Sequence, residues 1–323
     1  MKNIFEFEKD QDISTKHLNF HELKNYSFRD IIRDLYDKFL RRPFYFFRYK
    51  NFFAHQNYNI NLVLPSKGFS NFARRQKLNA LKNITGKKIL NIGCGNAFDY
   101  HLWFKFKPKK IVGIDILNYT KSWDNVLNYV KENKVNTEIE FFKNDFINFE
   151  YNEQFDFIVS DAVFEHCIDF NGVVKKCFKF LKKDGIMYAA YGGPMWLTYG
   201  GDHFSGRDDV NNGFNHLLME KKEYENYIEK NIGTFDYELN QGGGGGILVK
   251  SDLFSRLTAN EYFEIFIKNN FYSTQTYVEY CPIGLNLIRN NLPLKNKLKK
   301  KFPTTDIENF FLKTHIVYLK KYE

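Results

Sequence analysis

Two glycines raise the first chemical question. In the segment KKILNIGCGNAFDYHLW, residues 87–103, Gly93 and Gly95 follow a short apolar run and precede a helical pattern. A glycine turn there lets the backbone approach a ligand and points the next helix's N-terminus at it. A dinucleotide fingerprint would want a third glycine at position 98, where this chain has Phe98, a side chain that would obstruct a pyrophosphate. A nicotinamide cofactor is therefore disfavoured. Metal chemistry has little to work with. Asp161, Glu165, His166 and Asp169 cluster in sequence, but Glu165 and His166 are adjacent, and adjacent helical positions do not face one ligand. No further His or carboxylate lies at the spacing of a catalytic zinc site, so no metal is expected. His203 and His166 are the candidates for proton transfer. His203 lies in YGGDHFSGRDD, among glycines that would let a loop close, with Asp202 and Arg207 near it. His216 falls in a helical pattern and reads as a polar helix-face residue.

These residues need elements to hold them. From Lys87 onward, near-continuous apolar runs (KKILNIG, KKIVGIDI, EIEFFKND, FDFIVSD, GIMYAAYGG) alternate with helical patterns such as TKSWDNVLNYVKEN and NGVVKKCFKFLKK. Strands covered on both faces read this way, and the alternation predicts a doubly wound, mostly parallel sheet. The rhythm stops after Pro194 and resumes near Ser251. Residues 194–250 hold MWLTYGGDHFSGRDD, a helix around NHLLMEKKEYENYIEK, and the run QGGGGG from Gln241 to Gly246. Such an excursion reads as a lid or binding insertion. A helix over TANEYFEIFIKNN, N-capped by Thr258, and two strands, FYSTQTYVEY and THIVYLKKY, complete the pattern.

Residues 1–82 lack this rhythm and form an N-terminal helical extension to a domain over 83–323. FRDIIRDLYDKFLRRPFYFFRYKNFFAHQ spaces its apolar residues at three and four and breaks at Pro43. Its Arg41, Arg42, Arg48 and Lys50 lie among aromatics. Peripheral membrane or phosphate contact is one reading; the favoured expectation is a helix packing its aromatic face on the main domain.

The ordered motifs resemble class I S-adenosylmethionine-dependent methyltransferases, in particular the small-molecule branch called type 11. The first motif of that family ends in G-x-G-x-G after an acid. Here ILNIGCGNA puts Asn91 in place of the acid and Ala97 in place of the last glycine. The resemblance implies a seven-stranded Rossmann-like sheet and S-adenosylmethionine as cofactor, contacted by Asn91, Gly93, Cys94, Gly95 and Ala97. Asp115, twenty residues past Gly95 in VGIDI, is then expected to accept the ribose hydroxyls, with Ile116 beside it. Asn144, Asp145 and Phe146 in FFKNDF are expected around the adenine. FDFIVSDAVFEHCID matches the fourth strand and its loop and adds Asp161. In CFKFLKKDGIMYAAYGG, Asp184 and Gly185 are expected in the turn before the fifth strand.

Methyl transfer to a hydroxyl needs a base, which His203, and after it His166, would supply. The aromatic, Gly-Pro-bearing excursion YGGPMWLTYGGDHF is similar to those of bacterial surface-polysaccharide pathways. That similarity implies a carbohydrate or other small acceptor, with Trp196, Tyr199 and Phe204 stacking on it and Arg207 meeting a phosphate. The alternatives are an RNA or protein methyltransferase, or a non-catalytic relative that keeps the fold to bind a partner. A formal charge of +9 suits an anionic partner. Lysine is spread along the whole chain, however, and SDAVFEH departs from the Asn-Pro-Pro-aromatic motif of RNA base methylases, so nucleic acid is disfavoured. Cys94, Cys167, Cys177 and Cys281 form no CxxC pair or disulfide pattern. With an acidic N-terminus and no apolar run long enough to span a bilayer, a cytoplasmic protein is expected.

Overall fold

The computed structural model describes residues 28–41, 43–44, 47, 60–65, 69–198, 213–230 and 254–322. Eight strands form a single sheet: β1 (Ile60–Pro65), β2 (Lys88–Ile92), β3 (Lys110–Asp115), β4 (Glu138–Lys143), β5 (Phe155–Asp161), β6 (Leu181–Gly192), β7 (Phe271–Tyr280) and β8 (Leu312–Lys321). Their spatial order is β1-β7-β8-β6-β5-β2-β3-β4. All pairings are parallel except those of β8, which runs antiparallel to both β6 and β7. The expected α/β sheet is present with one strand more than the seven anticipated. The extra strand, β1, comes from the segment expected to be helical. INLVLP is a short β-branched apolar run that zips parallel onto the edge strand β7.

Helices α1 (Phe28–Tyr36) and α2 (Asn71–Leu81) precede the alternating region. Within it follow α3 (Tyr100–Phe104), α4 (Thr120–Glu132) and α5 (Phe170–Phe180). The pleat sends successive side chains to opposite faces. In β6, Met187, Ala189 and Tyr191 enter one core with residues of α5, while Ile186, Tyr188 and Ala190 enter the other with residues of α2, α3 and α4. Asp184 and Gly185 lie within β6, in a register break between the pairs Phe155–Leu181 and Phe157–Ile186, rather than in a turn ahead of it.

Among the described residues of the excursion after β6, the stretch expected as one helix forms two, α6 (Asn215–Leu218) and α7 (Lys221–Lys230). They pack with α9 (Pro282–Asn290) and α10 (Leu292–Lys301) in a third apolar cluster around Phe310. Between them in sequence, α8 (Ala259–Lys268) opens on the expected Thr258 N-cap. Its hydroxyl accepts from the Glu261 N–H, and Glu261 returns a bond to the Thr258 N–H at 2.7 Å. The expectation that the N-terminal amphipathic helix buries its aromatic face is corrected. Phe28, Ile32, Leu35 and Tyr36 of α1 stay exposed, because the sheet faces that could receive them are already covered by other helices.

Candidate active site

The chain winds from β2 to β3 to β4 on one side, then returns to lay β5 on the other side of β2. The carboxyl ends of β2 and β5 therefore form a topological switch point, where open α/β sheets hold ligands. The glycine turn leaves β2 at this point. Gly93 (φ +67°) and Gly95 (φ +51°) lie in the left-handed region. The Gly93 and Cys94 N–H groups both donate to the Ile114 carbonyl, at 2.8 and 3.1 Å, folding the turn back over β3. Ala97 is also left-handed, at φ +57°, so the position that carries glycine in the resembled motif keeps glycine geometry here with an alanine in it.

Asp115 ends β3 beside this turn. Its carboxylate accepts the Gly95 N–H at 2.8 Å on one oxygen and the Leu117 N–H at 2.9 Å on the other. Burial raises its pKa above the ordinary carboxylate value, and those backbone bonds oppose the rise. A cavity of about 560 Å³ opens here, lined by Gly93, Gly95, Asp115, Ile116, Asn144, Asp145, Phe146, Asp161 and His166 among others. The turn, the end of β3 and the end of β5 thus meet around this cavity. Phe146 reaches the wall but is mostly buried, with its ring against Phe180. Asp145 accepts the Ile147 N–H at 3.0 Å and so caps a single 3₁₀ turn. His166 packs its ring 4.7 Å from that of Phe254.

A second cavity, of about 580 Å³, shares Gly93, Gly95, Asp161 and Ala162 with the first. Asn91 and Cys94 face this second space rather than the Asp115 cavity, and the Asn91 amide donates to the Tyr100 hydroxyl at 3.3 Å. Ala97 lines neither cavity and is buried in the core. Ala162 lies at φ +56°, an uncommon conformation for a residue with a side chain, at the boundary between the two spaces.

Charged residues that the motifs did not reveal line the second cavity, among them two adjacent arginines. Arg74, on α2, stands 3.4 Å from Asp161 and 3.6 Å from Glu279 of β7. Burial alone would lower its pKa; Tyr188, Asp161 and Glu279 outweigh that and raise it. The Tyr188 hydroxyl donates to the same Asp161 oxygen. The neighbouring Arg75 is fully buried, donates to the Asp99 carbonyl at 2.8 Å and pairs with its carboxylate. It also stacks 4.4 Å from the Trp103 ring. Adjacent arginines in NFARRQKLNAL were the only signal, and sequence alone gives them no direction.

Trp196 lines neither cavity. Its indole N–H donates to the Arg256 and Leu257 carbonyls at 3.2 Å, and its ring packs edge-on against Phe302 and Phe310. It anchors the excursion to the core, so the expected stacking on an acceptor is corrected for this residue. His216 sits on α6 as expected, with Nε2 3.0 Å from the Met195 carbonyl oxygen. Tyr199, His203, Phe204, Arg207 and the run Gln241–Gly246 lie outside the described residues, as do Arg42, Arg48 and Lys50. Leu197, two positions before Tyr199, lines the second cavity. No group of His, Cys, Asp and Glu among the described residues could hold a metal ion. All four cysteines are free.

A glycine turn at the switch point, an acid closing β3 and two cavities with a common wall meet at this end of the sheet. Residues 84–243 match the family model described as Methyltransferase domain. This stretch is thus similar to methyltransferase domains, a class whose methyl donor is S-adenosylmethionine. Among curated proteins, the malonyl-acyl-carrier protein O-methyltransferase of Acetivibrio thermocellus is 29% identical over 118 residues, 36% of this chain and 39% of that protein. The mitochondrial ubiquinone biosynthesis O-methyltransferase of Bos taurus is 29% identical over 125 residues, 36% of this chain and 32% of that protein. The chain spans between 31% and 46% of the length of the curated relatives it matches. A solved structure, the O-methyltransferase from a trans-AT PKS multienzyme of Brevibacillus brevis with S-adenosyl-L-homocysteine, is 14% identical with a TM-score of 0.42. That match covers 77% of this chain and 71% of the other.

Proposed function

We propose that the protein transfers a methyl group from S-adenosylmethionine to a hydroxyl of a small acceptor, a sugar on the route to a bacterial surface polysaccharide. The observation that carries this reading is the pair of cavities with a common wall at Gly93, Gly95, Asp161 and Ala162. The donor fits the Asp115 cavity, whose volume of about 560 Å³ falls within the usual range for small-molecule sites. Gly93 clears one wall of it, since a Cβ there would collide with Val163. When bound, S-adenosylmethionine supplies an electrophilic methyl group on a sulfonium sulfur.

The work of the protein is then to bind, orient and exclude water. Asp115, fixed by two backbone N–H groups, keeps acceptor capacity for ribose hydroxyls. Asn144 and Asp145 stand at the adenine end. The acceptor occupies the Arg74 cavity. His203 takes the proton of its hydroxyl, with His166 next in line. Tyr199 and Phe204 stack on the sugar and Arg207 meets its phosphate. Two relatives are named as O-methyltransferases, which agrees with transfer to oxygen, and two as sterol 24-C-methyltransferases. The sugar and its polysaccharide setting rest on the similarity of YGGPMWLTYGGDHF to excursions in such pathways. Deleting the gene and comparing surface glycans and their precursors by mass tests the reading. It predicts accumulation of an acceptor lighter by one methylene. Unchanged glycan and precursor profiles would refute the polysaccharide assignment.

A further inference from the structure

We propose that α1 and the turn after it bind the surface of an anionic lipid bilayer. Phe28, Ile31, Ile32, Leu35, Tyr36, Phe39 and Leu40 recur at helical spacing through α1 and the single π-turn Asp37–Arg41. Their exposures run from 42% to 74%. A contiguous stripe of this kind on a protein's surface marks an interaction face. Charge selects the occupant. At about 100° per residue, positions 29, 33 and 38 flank the stripe, and these are Arg29, Arg33 and Lys38. Bases beside an apolar stripe that carries aromatics are the arrangement of a helix lying in a membrane interface. There, basic side chains reach headgroup phosphates while the apolar stripe enters the acyl boundary. The sequence continues the theme: residues 28–50 carry seven Lys or Arg against three Asp, with eight Phe or Tyr. No described helix is long and apolar enough to cross a membrane, so the contact is peripheral. It would bring the catalytic domain to lipid-linked or membrane-proximal acceptors, and it stands independently of the methyl-transfer reading.

The test is flotation of the full chain with vesicles of phosphatidylcholine alone, or with about one-third phosphatidylglycerol added. The protein is expected to bind the anionic vesicles at least tenfold more tightly, and to lose that binding as salt is raised. Arg29→Ala and Arg33→Ala should each weaken it about fivefold. Leu35→Asp should abolish it while leaving the thermal melt unchanged, since Leu35 is exposed. The wild-type salt titration carries the test if that variant misfolds. No binding to anionic vesicles, or equal binding to neutral ones, would overturn the proposal. So would a dimer by light scattering that Leu35→Asp splits, because the stripe would then be an interface between two copies of the chain.

Discussion

Replacing Gly93 with alanine tests the turn that builds the site. The added Cβ would lie 2.1 and 2.8 Å from the two γ-carbons of Val163 and 3.0 Å from its Cβ. The contact with Cβ means that rotating the Val163 side chain cannot fully relieve the clash. The backbone adds a second cost, because φ is +67° and a left-handed conformation costs an L-residue about 1–2 kcal/mol. Overpacking contributes roughly 1–3 kcal/mol more, for a total of about 2–5 kcal/mol. For a chain of 323 residues that corresponds to a fall in Tm of roughly 3–7 °C. Chemical denaturation of Gly93→Ala, Val163→Ala and the double variant separates the two parts. Val163→Ala should recover the steric share, giving a coupling of about 1–3 kcal/mol, and leave the backbone share in place. A Gly93→Ala protein within about 0.5 kcal/mol of wild type, or a cycle with no coupling, would refute this account of the turn.

Arg74→Met should destabilise the fold by about 3 kcal/mol, since it removes the cation between the Asp161 and Glu279 carboxylates, and Arg74→Lys should restore part of that in urea melts. Cys167 lines the Asp115 cavity, and burial, followed by the nearby Glu165 and Asp145 carboxylates, pushes its thiol up to about 12. It should therefore resist iodoacetamide at neutral pH in the folded protein and react on unfolding, as peptide mapping would show. His203→Ala should leave donor affinity intact and lower turnover by about two to four powers of ten, and the wild-type rate should fall as pH drops below the imidazole pKa. An unchanged rate and acidic limb would move the base to His166, and a rate indifferent to both would withdraw the hydroxyl acceptor.

The strands from β2 to β6 were legible because buried parallel strands must be apolar along nearly their whole length, and the glycine turn marks where the first one ends. Thr258 was legible because a capping box is a local contract between residues three apart. β1 was not. INLVLP carries no signal of its own pairing, and its partner β7 lies more than two hundred residues away. The same limit hid Arg74, whose partners Asp161 and Glu279 belong to strands far along the chain. Trp196 was misread for a related reason: an aromatic in an insertion can face a ligand or a core, and Phe302 and Phe310, which decide between them, come a hundred residues later. Periodicity found the amphipathic helix α1 correctly but could not say whether the domain had a face left to receive it.

The central claim is that the cavity at Gly93 and Asp115 holds the methyl donor, and titration calorimetry measures it directly. The wild-type protein should bind both S-adenosylmethionine and S-adenosylhomocysteine, and Asp115→Ala should weaken each by about 1.5–3 kcal/mol, the loss of charge-assisted bonds to a ribose. Wild-type affinity should also fall as pH drops through the Asp115 pKa, starting at a higher pH than for an ordinary aspartate because burial raises that value. Unchanged affinity in Asp115→Ala would contradict the assignment of the ribose site, and a wild-type protein that binds neither ligand would contradict the account as a whole.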